Sequence, residues 1–160
     1  MKAIVFVLEE KSYAINISQI SEVIRMREMT PIPDSADFVE GIISLHGKVI
    51  PIINLRKKIG IVAQQGTTQC RVIVVKVNNQ LIGIIVDSVS DVVAFEDESV
   101  VPPDDVLKET VYLTGVVKSE SKIILILDIE KLLSEDAQRS AEKIHKHVEV
   151  KRKASVDGKR

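Results

Sequence analysis

The chain repeats itself. The segment VEGIISLHGKVIPIINLRKKI, Val39 to Ile59, aligns without a gap on LTGVVKSESKIILILDIEKLL, Leu113 to Leu133. Gly41 falls on Gly115, Lys48 on Lys122, Ile50 on Ile124, Asn54 on Asp128 and Lys57 on Lys131, each pair 74 residues apart. Upstream, VFVLEEKSYAINISQISEVI from Val5 matches VVKVNNQLIGIIVDSVSDVV from Val74, which sets Ile20 on Val89, Ser21 on Ser90 and Glu22 on Asp91 at an offset of 69. One insertion of five residues reconciles the two offsets. A unit of roughly 70 residues is too long for a solenoid repeat and suits a duplicated small domain.

Each half reads as short strands. Val5 to Leu8, Tyr13 to Ile17, Ile42 to Leu45 and Val49 to Asn54 are β-branched runs, and Val72 to Val77, Leu81 to Val86, Leu113 to Lys118 and Ile123 to Leu127 repeat them. Turn residues separate the runs: Glu9-Glu10-Lys11, His46-Gly47, Asn78-Asn79 and Ser119-Glu120-Ser121. No long helix lies between strands to serve as a parallel crossover, so barrels or a sandwich are expected. Aromatic residues are only 3% of the chain while hydrophobic residues are 45%, so the core must be aliphatic. Helices are minor. Leu55 to Ile59 makes one turn, and a longer helix starts after Asp128 as N-cap, with Leu132, Leu133, Ala137 and Ala141 near one face, running to about Lys146. Beyond Val150 the chain turns basic, with Lys151, Arg152, Lys153, Lys159 and Arg160 against Asp157, and a solvated tail over 151–160 is expected. Pro51, inside a strand-like run, points to an edge or a strand start.

Several functions are excluded. The net charge is −1 and exposed rings are too few for a nucleic-acid platform, so nucleic acid is not an expected partner. No segment approaches a membrane-spanning length and the N-terminal apolar run stops at Glu9, so no membrane insertion is expected. Cys70 stands alone, which rules out an internal disulfide and fits the cytoplasm. His46, His145 and His147 do not make a zinc set, no phosphate loop is present, and no cofactor or metal is expected. Asp87-Ser88 is the nearest approach to an aspartic-protease motif, but Ile17-Ser18 stands where its mate is needed, so the chain is expected not to be an enzyme. What is left is a binding surface for other proteins.

The run Phe38 to Arg56, FVEGIISLHGKVIPIINLR, resembles the signature of the CheW family of bacterial chemotaxis coupling proteins. The likeness extends over Tyr13 to Ile17, Ser21 to Ile24, Gly83 to Val92, Tyr112 to Gly115 and Leu127 to Leu133. It implies a mainly β fold: two SH3-like five-stranded β-barrel lobes from the duplication, packed together, with short helices and a C-terminal helix. The corresponding domain covers 1–150, with lobe 1 near 1–70, lobe 2 near 71–127, strands free to exchange between them, and the helix near 128–147. The resemblance further implies a scaffold without catalysis, placed in the cytoplasm at receptor arrays, that joins chemoreceptor cytoplasmic tips to the regulatory domain of the CheA histidine kinase. The chain ends too soon for a fused receiver domain, so the free-standing coupler is expected.

Receptor-contact positions carried over by the resemblance are Ile20, Glu22, Gly41, His46, Gly47, Val89 and Val92. A place in the core is the competing reading for Ile20, Val89 and Val92. Gly47 is expected to supply a positive-φ turn, and Gly41 and Gly83 a close backbone approach. The family's Asn and Arg are replaced by Ser44 and His46, so the family's Glu–Arg pair becomes Glu22 with His46, charged only when the imidazole is protonated. This departure opens a second reading, a CheW-like adaptor of another sensory or surface-motility pathway. Arg56 and Lys57 read as solvated rim charges, and the kinase is expected to meet apolar lobe ends, with no residue selected.

Overall fold

The structure is a computed structural model that describes residues 1–62, 66–102 and 112–138. Eleven strands run through these residues: β1 Lys2–Leu8, β2 Lys11–Asn16, β3 Ile20–Arg25, β4 Val39–Leu45, β5 Lys48–Asn54, β6 Arg71–Val77, β7 Gln80–Val86, β8 Ser88–Ala94, β9 Val100–Val101, β10 Leu113–Ser119 and β11 Lys122–Leu127. One helical turn, α1, covers Leu55–Lys58, and residues 129–138 form a second helix, α2. The expected extension of α2 toward Lys146, with Ala141, and the basic end lie outside the described residues.

The strands form two sheets, ordered β8-β1-β2-β11-β10-β9 and β3-β6-β7-β5-β4. One sheet thus has the five strands expected, and the other adds the two-residue β9. The two orders are the same order once the repeat offsets are applied: β8, β1, β2, β11 and β10 stand where β3, β6, β7, β5 and β4 stand. Even β9 has a counterpart, the single bridge of Thr30 to Ile42 on β4. Bulges recur as well. The register skips Ser21 in β3 and its equivalent Ser90 in β8, then Glu40 in β4 and its equivalent Thr114 in β10.

The sheets are not the halves of the repeat. Hairpin β1–β2 of the first half joins β8, β10 and β11 of the second, and hairpin β6–β7 of the second joins β3, β4 and β5 of the first. The chain changes sheets through the 3-10 turn Ile17–Gln19 and again at Asp87. A boundary near residue 70 therefore separates repeats, while each sheet needs strands from both sides of it.

Packing explains the run of apolar residues in the first strand of each half. Ile4, Phe6 and Leu8 of β1 and their equivalents Ile73, Val75 and Val77 of β6 point into one core between the sheets. Ala3 and Val5 fill the interior of the first sheet, and Val72 and Val74 fill that of the second. A strand buried on both faces loses polar alternation. Leu132, Leu133 and Ala137 of α2 close the central core. Asp128 caps α2 by accepting the Lys131 N–H at 3.2 Å, as Asn54 caps α1 by accepting the Lys57 N–H at 3.3 Å.

Pro51 corrects one expectation. It lies in β5, between β4 and β7, and is not on an edge. The parallel pairing to β7 begins one residue later, at Ile52 with Gly83, so the missing N–H stands at the end of that ladder.

Candidate functional site

The edge strands β3 and β8 hold four of the seven positions singled out from sequence: Ile20, Glu22, Val89 and Val92. Ile20 and Val89 are half-buried against the central core, so each combines a packing role with an exposed flank. Val92 is 58% exposed, and its repeat equivalent Val23 on β3 is exposed too. The structure therefore splits the set: Ile20 and Glu22 belong to one sheet, Val89 and Val92 to the other.

Glycine places the rest. Gly41 sits at the β4 bulge with φ +152°, and a Cβ there would lie 2.5 Å from the Thr30 carbonyl oxygen. The Thr30 N–H donates to the Ile42 carbonyl at 3.0 Å and the Ile42 N–H returns the bond at 2.8 Å. This close approach lets the segment after β3 reach β4, at the opposite edge of the sheet. His46 and Gly47, at φ 50° and 76°, form the tight turn from β4 to β5.

That turn brings His46 to Glu22. The imidazole Nε2 lies 2.9 Å from Glu22 Oε1, with the histidine side chain 75% exposed and the glutamate 34%. Alongside, Arg27 Nη1 donates to the Ser44 carbonyl at 3.2 Å. Glu22, His46, Gly41 and Gly47 thus converge on one seam, where the two edges of the sheet meet.

A second feature escaped the reading of the sequence. Arg56, expected to be solvated, is 7% exposed. Its Nε donates to Asp87 Oδ1 at 2.7 Å, its Nη2 bonds Asp87 Oδ2, and its Nη1 donates to the Val62 carbonyl at 2.8 Å. Asp87 Oδ2 also accepts the Glu9 N–H at 3.0 Å. The Arg56 hydrogen bonds, helped by the Glu9 N–H, hold the Asp87 carboxyl below the usual aspartate range against the opposing effect of burial. The same bond raises Arg56 further above its ordinary value. This pair faces a cleft of about 590 Å³ lined also by Val7, Glu40, Cys70 and Met26. Lys57 meets Glu40 at 3.0 Å beside it, and that hydrogen bond raises the lysine pKa. At the repeat-equivalent place stand Glu130 and Ser18, which bound a smaller polar cleft of about 420 Å³. The repeat breaks at both partners of the ion pair together, and this joint departure was the available signal.

These sites present exposed valines on sheet edges, one imidazole–carboxylate pair, and a part-buried ion pair at the crossover from β7 to β8. Among the described residues no group of three His, Cys, Asp or Glu side chains is placed to hold a metal ion, and no helix is long and apolar enough to cross a membrane.

Comparison with known proteins agrees with this architecture. Residues 2–137 match the CheW-like domain. The chain is 34% identical to the chemotaxis protein CheW of Klebsiella aerogenes over 148 residues, covering 89% of this chain and 87% of that protein. It is 32% identical to the chemotaxis protein CheW of Bacillus subtilis over 142 residues, covering 88% and 91%. The crystal structure of the scaffolding protein TtCheW from Thermoanaerobacter tengcongensis superposes with a TM-score of 0.78 at 36% identity, covering 82% of this chain and 91% of that one. The chain belongs to the CheW-like domain family.

Proposed function

We propose that this member of the CheW-like family is a non-enzymatic chemotaxis scaffold that couples chemoreceptor cytoplasmic tips to the regulatory domain of a CheA-type histidine kinase. The observation that carries the reading is the pair of repeat-equivalent edge strands. Among the described residues, β3 and β8 each have a strand partner on one side only and each expose a valine, Val23 and Val92. A helical receptor tip can cover these valines while the open backbone edge stays in contact with water at the rim.

In this reading Ile20, Val89 and Val92 supply the apolar receptor contact, and Glu22 and His46 the polar rim. Gly47 and Gly41 shape the turn and the strand that hold His46 in place. The kinase domain takes a different surface. Val49 on β5 and Ile123 on β11 are repeat equivalents, lie beside the hairpin turns at the sheet ends, and are 42% and 56% exposed. Two apolar ends on one protein suit a bridge in an array. The protein then works in the cytoplasm, recruited to membrane-associated receptors without inserting into the bilayer, and needs no cofactor.

Calorimetric titration into the regulatory domain of the CheA-type kinase from the same source tests the kinase side. Saturable one-to-one binding, weakened by Val49→Asp or Ile123→Asp, is expected. Absence of binding at high protein concentration would move the protein to an adaptor role with another partner.

A further inference from the structure

The interiors of the two sheets end differently. Just after β8 stands Phe95, which is buried and packs with Ala3, Val5 and Val117 inside the first sheet. Its N–H donates to the Met1 carbonyl at 2.7 Å, and Met1 packs on the same cluster. The repeat equivalents of Phe95 and Met1 are Met26 and Cys70. Met26 is exposed, and both residues line the cleft of about 590 Å³ beside Arg56. The matching space in the other copy is two separate clefts, of about 420 and about 190 Å³. The second sheet thus carries a methionine where the first carries a buried ring, and Met26, Val7 and Ile85 give the cleft an apolar wall.

The rim is acidic. Glu9 and Glu10 border the cleft, both exposed, and among the described residues neither is in an ion pair. Arg56 and Lys57 are already taken by Asp87 and Glu40. The two free carboxylates are not needed for the turn, because Asn78 and Asn79 make it in the other copy with nearly the same φ. The cleft therefore fits an occupant that carries apolar side chains next to several cations.

This chain carries such a segment, outside the described residues. Val148 and Val150 are followed directly by Lys151, Arg152 and Lys153. Residues two apart lie on one side of an extended segment. The described chain also ends beside the cleft. Asp136 of α2 meets Lys58 of α1 at 2.7 Å, next in sequence to Lys57 on the cleft wall. Twelve residues lead from Asp136 to Val148, about 18 Å as helix or about 40 Å as extended chain.

We infer that the segment 148–153 of this chain folds back onto the cleft, with the valines against Met26 and the three basic side chains on the Glu9–Glu10 rim. The segment gives the second sheet the apolar cover that Phe95 gives the first, and it shields Cys70. The inference does not depend on the receptor reading.

The test is methyl NMR on the full chain with labelled methionine and valine. A nuclear Overhauser cross-peak is expected between the Met26 methyl and a valine methyl, and it should be lost in the Val148→Ser, Val150→Ser double variant. Glu9→Asn with Glu10→Asn, which copies the residues of the equivalent turn, should weaken the same cross-peak, as should added salt. The Met29 methyl, packed against the interior of the second sheet, should stay in place throughout and reports an intact fold. Iodoacetamide should alkylate Cys70 several-fold faster in the double valine variant, which changes no charge near the thiol. Absence of the cross-peak in the wild type, with the Met29 signal in place, overturns the inference. So does a cross-peak seen only between differently labelled copies, or a Cys70 rate that the valine variant leaves unchanged.

Discussion

The two sheets share strand order, bulge positions, the conformation of one hairpin turn and helix caps, yet differ at the places where they meet other groups. Asn78 and Asn79 turn at φ 50° and 63°, and their equivalents Glu9 and Glu10 at 50° and 64°. Against this background Arg56 and Asp87 pair where Glu130 and Ser18 do not, and Glu22 meets His46 where the repeat equivalents are the two acids Asp91 and Glu120. Backbone geometry is set by pairing and core shape, which both copies need. Surface chemistry is free to diverge, so the differences between copies mark function better than the similarities.

The largest test of this comparison is at the bulges. Gly41→Ala forces a Cβ onto the Thr30 carbonyl at a φ of +152° and is expected to cost about 2–5 kcal/mol in chemical denaturation. Gly115→Ala, its counterpart, meets the Val100 Cγ1 at 2.6 Å, a side chain that can shift, and is expected to cost at most about 2 kcal/mol. Equal costs would break the distinction.

Next is the ion pair. Asp87→Asn removes the carboxylate that bonds the buried Arg56 guanidinium and is expected to cost about 3 kcal/mol, whereas Ser18→Ala at the equivalent position stays within about 0.5 kcal/mol. The sign of the pH dependence follows from the lowered Asp87 pKa. Its stabilisation is complete above the unfolded-state value of about 3.9 and is lost as pH falls through the lower folded-state value. The acid-unfolding curves of wild type and Asp87→Asn should therefore begin to approach each other below about pH 4 and meet only below the folded-state value, read by circular dichroism.

Val92→Lys sharpens the functional side. At 58% exposure it should leave stability within about 0.5 kcal/mol while weakening receptor-tip binding about tenfold. Ile20→Ala, packed on the central core, should lower both. The caps give the smallest effects, and these should match: Asn54→Ala and Asp128→Ala each cost about 1 kcal/mol.

Much of this was legible in the residues. Eight strands, four turns, α1 and the cap of α2 follow from β-branched runs, turn residues and Asp128, because local preference and tertiary placement agree there. Strands β3 and β8 were visible only as matching segments. Ser21-Glu22 and Ser90-Asp91 put polar residues and a bulge into short edge strands, so neither alternation nor a continuous run survives. These two strands carry most of the candidate site. The exchange of hairpins between sheets was allowed for by the family resemblance and not by the residues themselves, since both pairing schemes satisfy the same apolar pattern. Arg56 read as a rim charge because its partner lies 31 residues away, at the crossover from β7 to β8.

The most direct measurement of the central claim is autophosphorylation of the CheA-type kinase, mixed with receptor-containing membranes, with and without this protein. Receptor control of the kinase should require the wild-type chain and should be lost with Val92→Lys while kinase-domain binding persists. Receptor control that is complete without the chain, or unchanged by Val92→Lys, would contradict the account.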